Sequence, residues 1–506
     1  CLTSELALTG YPPQDLLLRT DFLKEIEFFK QKLLNLSKSK KTILCLNIPD
    51  KEEKSLYNSL FLFQNGEIVF KKNKSILPNY GVFDEKRYFK SKAVDQNFFV
   101  FKKKKIKFVI CEEMWSEEYM AKNKNKYDYL ISVNASPYEV SKHESRKEIA
   151  LKNVEHYKSN LIYLNLVGSQ DDLIFDGGSF VLNKKGKLIF QAKFFENSEI
   201  VIRDKEIEEE KEIKNGVDKT ENLYKALVYS LKNYMDKNNF KKAIIGLSGG
   251  IDSALCMMIT ADAIGRNNVD AFFLPTIYTS IESRSDAYSF AKNIGVNIKD
   301  ISIEEMRKKV SKELNFLFKN LPSDITEENI QSRLRGLILM AISNKFNSLL
   351  ITTGNKSELA VGYSTLYGDM CGGFSLIKDL YKSQVIKLTN WRNSNCMTNF
   401  KIKKKNSIPR NIITKEPTAE LKPNQKDSDS LPSYEVLDKI LEMIIDQKFD
   451  LSSVIKVGFK KETIQRIWKM VKNSEYKRYQ SAIGPKISGM SFDKDRRFPL
   501  TNKFII

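Results

Sequence analysis

Apolar residues fall in short runs bounded by charge, and these runs alternate with longer stretches in which apolar positions recur every three or four residues. In the first two hundred residues the runs at 42–46, 98–101, 106–110, 129–133, 161–166 and 179–182 predict strands. The spacing at 21–36 and 145–158 predicts helices. Such alternation predicts a layered α/β domain. Further on, Ala243-Ile244-Ile245-Gly246-Leu247 predicts a buried parallel strand, followed by a helix at 254–260. A second strand–helix pair is predicted at 269–274 and 285–294, then a long helix at 329–346 and a strand at 349–352. That order predicts a doubly wound parallel sheet, whose ligands sit at the carboxyl ends of the strands. Residues 397–432 are polar and contain proline, and predict a long functional or mobile loop. Helices at 434–447 and 461–473 follow. Charge dominates 203–220, beginning Arg203-Asp204-Lys205-Glu206, and predicts a linker at 204–220 between domains at 1–203 and 221–506. The opening residues read as the end of a strand, so the chain is expected to lack an N-terminal segment.

Composition narrows the picture. The chain has 506 residues, enough for more than one large core, and 42% are hydrophobic. No apolar stretch approaches the roughly 18 residues a membrane span needs, and no membrane partner is expected. The net charge of +20 invites a nucleic-acid reading. The lysines, however, are scattered or in short runs such as 102–105 and 403–405, without a recognition-helix or aromatic-platform pattern. Solvated lysine-rich faces are the reading, and no nucleic acid is expected. Six cysteines show no C-x-x-C pair and there are two histidines, which argues against structural zinc and fits a reducing, cytoplasmic setting.

Candidate chemistry begins at Gly246-Leu247-Ser248-Gly249-Gly250-Ile251-Asp252-Ser253. A strand, a small-residue loop with two hydroxyls and a helix N-terminus make an anion cradle. Backbone N–H groups point at the ligand, and the helix dipole favours negative charge. No Gly-Lys-Ser/Thr ends the loop, so it is not a Walker A loop. It carries Asp252 instead, suited to magnesium beside phosphate. Alone, such a loop could be a capped turn. It is followed by a run from Thr352 to Asp369 that starts at a strand's carboxyl end and carries Thr353, Lys356, Glu358 and Asp369 among glycines. Lys378-Asp379-Leu380-Tyr381-Lys382 and Glu475-Tyr476-Lys477-Arg478 add cations of the kind a polyphosphate needs, although each lysine alone could lie on a solvated face.

From about 221 onward the chain resembles the synthetase domain of the NAD synthetase family, within the ATP pyrophosphatase group. The matching runs are 246–253, Glu328-Asn329-Ile330-Gln331-Ser332-Arg333-Leu334-Arg335-Gly336, 352–369, Glu416-Pro417-Thr418-Ala419-Glu420-Leu421, and Lys477-Arg478. The cradle by itself indicates only the group, whose other members make GMP, asparagine or modified tRNA bases; the run at 352–369 points to this family. The resemblance implies an adenine nucleotide alpha hydrolase-like fold. It implies that ATP activates the nicotinate carboxylate of deamido-NAD and that ammonia displaces AMP. It implies that 246–253, Thr353 and Lys382 contact ATP, that Asn329, Glu358 and Lys477 contact deamido-NAD, and that Asp252 and Glu358 hold Mg2+.

The first domain carries a second set of candidates. Glu5 sits in Glu5-Leu6-Ala7-Leu8-Thr9-Gly10-Tyr11-Pro12-Pro13, Lys74 lies ahead of Leu77-Pro78-Asn79-Tyr80, and Cys111 ends an apolar strand. A cysteine after a strand is ordinarily a core residue, and Glu or Lys ordinarily faces solvent. Together the three form a workable amidase set: a thiolate nucleophile, a proton-shuttling carboxylate and an ammonium for the oxyanion. With Asn134-Ala135-Ser136-Pro137-Tyr138 and 168–178, residues 1 to about 200 resemble a nitrilase-superfamily amidase domain in the form fused to NAD synthetase. The resemblance implies an α-β-β-α sandwich whose first strand and first helix are missing from this sequence. It makes Glu5 the base, Lys74 the oxyanion residue, Cys111 the nucleophile and Glu85 the support of the lysine, with Tyr80, Ser136 and Lys142 on glutamine. Glu113 stands where that family usually has Asp. The implied whole is a glutamine-dependent ligase acting on glutamine, ATP and deamido-NAD, which channels its ammonia and assembles as a homo-oligomer built on a dimer, an octamer in many bacterial forms.

Overall fold

A computed structural model describes residues 1–504 apart from 95, 209–212, 214, 215, 217 and 320. The chain forms two compact units, Cys1–Lys219 and Thr220–Ile506. Of the predicted linker, residues 209–212, 214, 215 and 217 lie outside those described. Its first part, Asp204–Glu208, is a short helix whose Ile207 packs with Tyr129 and Val181 of the first unit.

The first unit has four layers, and the alternation of apolar residues explains them. Strands Leu44–Glu52, Ser55–Gln64 and Glu67–Asn73 form an antiparallel sheet. A six-stranded sheet runs in the order Leu188–Gln191, Phe180–Leu182, Asn160–Asn165, Tyr129–Asn134, Lys104–Ile110 and Phe99–Phe101, parallel at its centre. Cys45, Leu60 and Leu62 from the small sheet meet Phe108, Ile110, Ile131 and Val133 from the large one. The alternate residues face the other way. Leu46, Ile48, Phe61 and Phe63 pack with Leu33 and Leu34 of helix Thr20–Ser37, and Val109, Leu130 and Leu161 pack with Ala150 and Val154 of helix Lys142–Tyr157. Period two on strands buried on both faces thus makes an α-β-β-α sandwich. Cys1–Thr3 lie along the small sheet: Leu2 bridges Cys45 in parallel, and Thr3 N–H donates to the Cys45 carbonyl at 3.1 Å.

The second unit carries a five-stranded parallel sheet ordered Asn297–Asp300, Val269–Phe273, Ala243–Gly246, Leu349–Thr352 and Phe374–Ser375. The strand first in sequence sits at the centre, and the order reverses between it and Leu349–Thr352. The carboxyl ends of those two strands flank the switch-point crevice. The segment beyond residue 480 is held by buried lysines. Lys356 Nζ bonds Ser488 Oγ at 2.8 Å and the Met490 carbonyl at 2.9 Å, while Lys378 Nζ bonds the Ala482 carbonyl and Asp493, each at 2.8 Å. Asp379 accepts from the backbone N–H groups of Ile487 and Ser488. Among the described residues no helix is long and apolar enough to cross a membrane.

Candidate functional sites

In the first unit, strand Lys104–Ile110 ends at Cys111, which opens a 3-10 turn with φ of 45°. Around it lies a closed set of buried charges. Lys74 Nζ donates to Glu5 Oε1 at 2.7 Å and to Glu85 Oε1 at 2.8 Å. Glu5 also accepts from Asn58 Nδ2 at 2.8 Å and from the Ala135 backbone N–H at 3.1 Å. Tyr11 OH donates to Glu85 at 2.8 Å. Glu5 and Lys74 are 0% exposed. Charges so deeply buried are costly unless paired, and here every one is.

The surroundings set the protonation of these groups. Burial, and then the Glu5 carboxylate, push the Cys111 thiol well above its usual range. Burial alone would pull Lys74 down, but Glu5 and Glu85 hold it above the ordinary lysine range. Glu85 is pushed up to about 7 by burial, against the pull of Lys74. The arrangement therefore keeps an ammonium and a proton-accepting carboxylate beside a thiol that ionises only when its proton has somewhere to go.

The three residues expected to bind glutamine have different surroundings. Tyr80 is half-exposed and its OH donates to Glu112 at 3.0 Å. Ser136 is buried, and its Oγ accepts from Arg146 Nε at 3.1 Å. Lys142 opens its helix with Nζ 4.9 Å from the centre of the Trp115 ring. Sequence reasoning missed Arg146, which is buried and grips Asp176 at 2.7 and 2.9 Å along with the carbonyls of Ser136 and Pro137. An arginine on the buried face of a helix was the available signal.

In the second unit, the loop after Ala243–Gly246 turns into helix Ile251–Ile264. Ser248 and Ser253 hydroxyls lie 3.1 Å apart, and Gly250 N–H donates to Ser248 Oγ at 3.2 Å. Gly249 has φ of +86°, and a Cβ there would sit 2.3 Å from the Ser283 carbonyl oxygen, so only glycine fits. The loop opens on a cavity of about 390 Å³ whose wall includes Thr353, Asn329, Glu358, Lys382 and Lys477. Lys382 Nζ pairs with Asp252 and lies 3.3 Å from Glu358 Oε1; Asn355 Nδ2 donates to Asp252 at 2.9 Å. Burial pushes Glu358 up to about 8 despite Lys382, with Asp252 adding to the rise. Asn329 accepts from Thr365 Oγ1 at 2.7 Å, and Lys477 Nζ donates to the carbonyls of Gly362 at 2.8 Å and Ser364 at 2.6 Å.

Among the described residues no three His, Cys, Asp or Glu side chains gather as a ready metal site. Two crowded carboxylates around one ammonium nonetheless suit magnesium. That ion takes one or two protein carboxylates and completes its shell with phosphate oxygens and water.

Two expected cations lie elsewhere. Lys378 is consumed by the clamp described above, and buried Arg478 donates to the carbonyls of Leu359 at 3.0 Å and Ala360 at 2.6 Å. Arg335 and Lys415, not singled out from the sequence, line the cavity instead. Burial brings Arg335 down to about 10, against Glu420 and Asp369, and Lys415 donates to Ser283 Oγ at 2.6 Å. The polar segment at 397–432 is part of this wall. Glu416, Pro417, Thr418, Ala419, Glu420 and Leu421 all reach the cavity, and Glu420 accepts from the hydroxyls of Ser280 and Ser283, each at 2.7 Å.

Comparison with known proteins agrees with this two-part build. The carbon-nitrogen hydrolase family matches residues 2–214, and the NAD synthase family matches residues 223–481. The chain is 42% identical over 505 residues to the glutamine-dependent NAD(+) synthetase of Acinetobacter baylyi, covering 98% of this chain and 91% of that protein. It is 40% identical over 541 residues to the enzyme of that name from Thermotoga maritima, covering 99% and 92%. The structure of a glutamine-dependent NAD+ synthetase from Acinetobacter baumannii in complex with ADP superposes with a TM-score of 0.76 at 38% identity, covering 99% of this chain and 91% of that one.

Proposed function

The chain belongs to the glutamine-dependent NAD(+) synthetases, and from that premise we propose how its two sites divide the reaction. Residues 1–203 serve as the amidase, 221–506 as the ATP-dependent synthetase, and 204–220 as the join. Cys111 is the nucleophile. Glu5 takes the thiol proton as sulfur attacks the glutamine amide carbon, and Lys74 stabilises the oxyanion. Glu5 returns the proton to the departing ammonia, leaving a thioester. Glu5 then takes a proton from water, which attacks the thioester and releases glutamate and the thiol. Glu85 keeps Lys74 charged and in place. Tyr80, Ser136 and Lys142 bind glutamine.

In the second unit the nicotinate carboxylate of deamido-NAD attacks the α-phosphorus of ATP, and pyrophosphate leaves. Ammonia then attacks the acyl adenylate and AMP leaves, giving NAD. The 246–253 loop holds the phosphates on its backbone N–H groups, while Thr353 and Lys382 orient ATP. Asn329, Glu358 and Lys477 hold deamido-NAD. Positioning and charge neutralisation carry most of the acceleration. Asp252 and Glu358 would hold magnesium, which when bound neutralises charge on the polyphosphate.

A homo-oligomer built on a dimer, working in the cytoplasm, completes the proposal. The helices Glu304–Phe318 and Ile325–Phe346 favour it. They leave Phe316, Leu337 and Phe346 at 76%, 65% and 65% exposure, which a single chain gains nothing by showing to water.

The observation that carries the amidase reading is the buried Glu5–Lys74–Glu85 cluster beside Cys111. NAD formation from deamido-NAD and ATP, with glutamine compared against ammonium, tests the division. Cys111→Ala is expected to abolish the glutamine-supported rate and spare the ammonium-supported one. Asp252→Ala is expected to abolish both. Retained glutamine use in the first variant, or a near-normal ammonium rate in the second, overturns the corresponding assignment.

A further inference from the structure

Glu113 lies two residues after Cys111 and is 0% exposed, yet no step of the proposed mechanism uses it. Its two oxygens are fully engaged. Oε2 accepts from the Ile110 backbone N–H at 2.8 Å, and Oε1 accepts from the Ser75 backbone N–H at 2.7 Å. Lys72 Nζ lies 3.1 Å from Oε1, and its side chain is 1% exposed. Ile110 immediately precedes Cys111, and Ser75 immediately follows Lys74. Ile110 ends a strand of the large sheet, whereas Ser75 follows strand Glu67–Asn73 of the small one. One carboxylate therefore fastens the two sheets together at the residues flanking the nucleophile and the oxyanion lysine.

We propose that Glu113 is a positioning residue for glutamine hydrolysis: its carboxylate sets Cys111 and Lys74 at their working separation, with Lys72 as its counter-charge. Three features carry this. The Ile110 bond is local and the Ser75 bond is long-range, so the one carboxylate links elements that no strand ladder joins, since Glu67–Asn73 and Lys104–Ile110 belong to different sheets. Cys111 itself sits at positive φ, a conformation that a non-glycine residue keeps only when its surroundings enforce it. Buried charges are neutralised in place, so the brace is rigid. The proposal rests on the amidase reading of Cys111 and Lys74.

Replacement by glutamine tests the acceptor pair rather than the packing. Glu113→Gln keeps size and reach but has one acceptor oxygen, so one of the two backbone N–H groups faces an NH2 and the Lys72–Glu113 ion pair is lost. Glu113→Asp keeps the charge and both acceptors. The measurement is steady-state NAD formation on the full chain, with kcat counted per Cys111 titrated by 6-diazo-5-oxo-norleucine so that misfolded protein is not scored. For Glu113→Gln the glutamine-supported kcat is expected to fall about 10- to 100-fold, the scale of an ångström-sized misplacement of reacting groups, with glutamine KM within about threefold. The ammonium-supported rate, which runs through the second unit, is expected to hold. Glu113→Asp is expected to recover kcat to within about fivefold of the parent.

The proposal is overturned if Glu113→Gln keeps kcat within threefold, if its loss appears in KM instead, if the ammonium-supported rate falls in parallel, or if Glu113→Asp is as poor as Glu113→Gln. Failure of the amidase reading shows separately, as glutamine use persisting in Cys111→Ala.

Discussion

Gly249 shows how much one backbone angle decides. At φ of +86°, with a carbonyl oxygen 2.3 Å from where a Cβ would stand, alanine must push Ser283 away or drag the loop out of shape. Gly249→Ala is expected to cost about 1–3 kcal/mol of stability and to raise the KM for ATP with either nitrogen donor. Thermal unfolding and ATP titrations with ammonium check both. His143 is the residue to watch with acid. Burial, then the charges of Lys147 and Arg146, bring it down to about 3, and among the described residues neither ring nitrogen finds a hydrogen-bond partner. The unfolded chain takes up a proton near pH 6.5 while the folded one refuses it until about 3. Stability is thus lost as pH falls across that window, with a slope approaching about 1.4 kcal/mol per pH unit. His143→Leu is expected to flatten that limb in chemical unfolding followed from pH 7 to 4. At this scale spacing alone said little. Glu5 and Lys74 touch across 69 positions of chain, and no periodicity predicts such a meeting; motif resemblance pointed to them. Arg335, read only as part of the 328–336 match, and Lys415 were given no role because only the folded wall of the cavity gives them one.

Among the elements, strands buried on both faces were legible from their apolar runs. The hairpin at Ser55–Gln64 and Glu67–Asn73 went unread although its turn, Asn65-Gly66, is a strong two-residue hairpin signal and both residues take positive φ. Strand Asn297–Asp300 escaped because it is a polar edge strand. Helix Glu304–Phe318 went unread although its apolar positions fall on one face, and it buries no residue in its own chain. If its apolar residues are covered by a second copy, charge placed there should separate the copies. The double variant Phe316→Glu and Leu337→Glu is expected to shift the molar mass measured by light scattering from a multiple of the chain mass to a single chain. An unchanged mass would remove this face from the assembly. The polar stretch at 397–432, legible only as a functional or mobile loop, lines the cavity and is held there by Glu420 and by Gln331, whose Nε2 donates to the Leu421 carbonyl at 2.8 Å.

For the molecule as a whole, the two units solve one problem in opposite ways. The first buries its proposed reacting groups, Glu5, Lys74 and Cys111, away from solvent, with Glu5 and Lys74 on fixed partners. The second keeps a roomy cavity ringed by charges of both signs and leaves its final neutralisation to the substrates. The family resemblance spans both units because each carries its own dense motif set. The large positive charge played no part in the assignment: many of the lysines pair with nearby carboxylates, such as Lys232 with Asp236, or lie scattered on the surface.

The clamp on Ser488, Met490 and Asp493 also bears on how the molecule comes into being. Translation is vectorial, and domains generally fold as units while the chain is still emerging. Every residue around Cys111, from Glu5 to Asp176, is made well before the segment that Lys356, Lys378 and Asp379 must grasp. The unit proposed to split glutamine can therefore be finished while the proposed synthetase unit is still waiting for its own closing residues. On the proposed division, a nascent chain is expected, for that interval, to release ammonia with no acceptor. Ribosome-bound chains arrested near residue 300 are the place to look for that uncoupled hydrolysis.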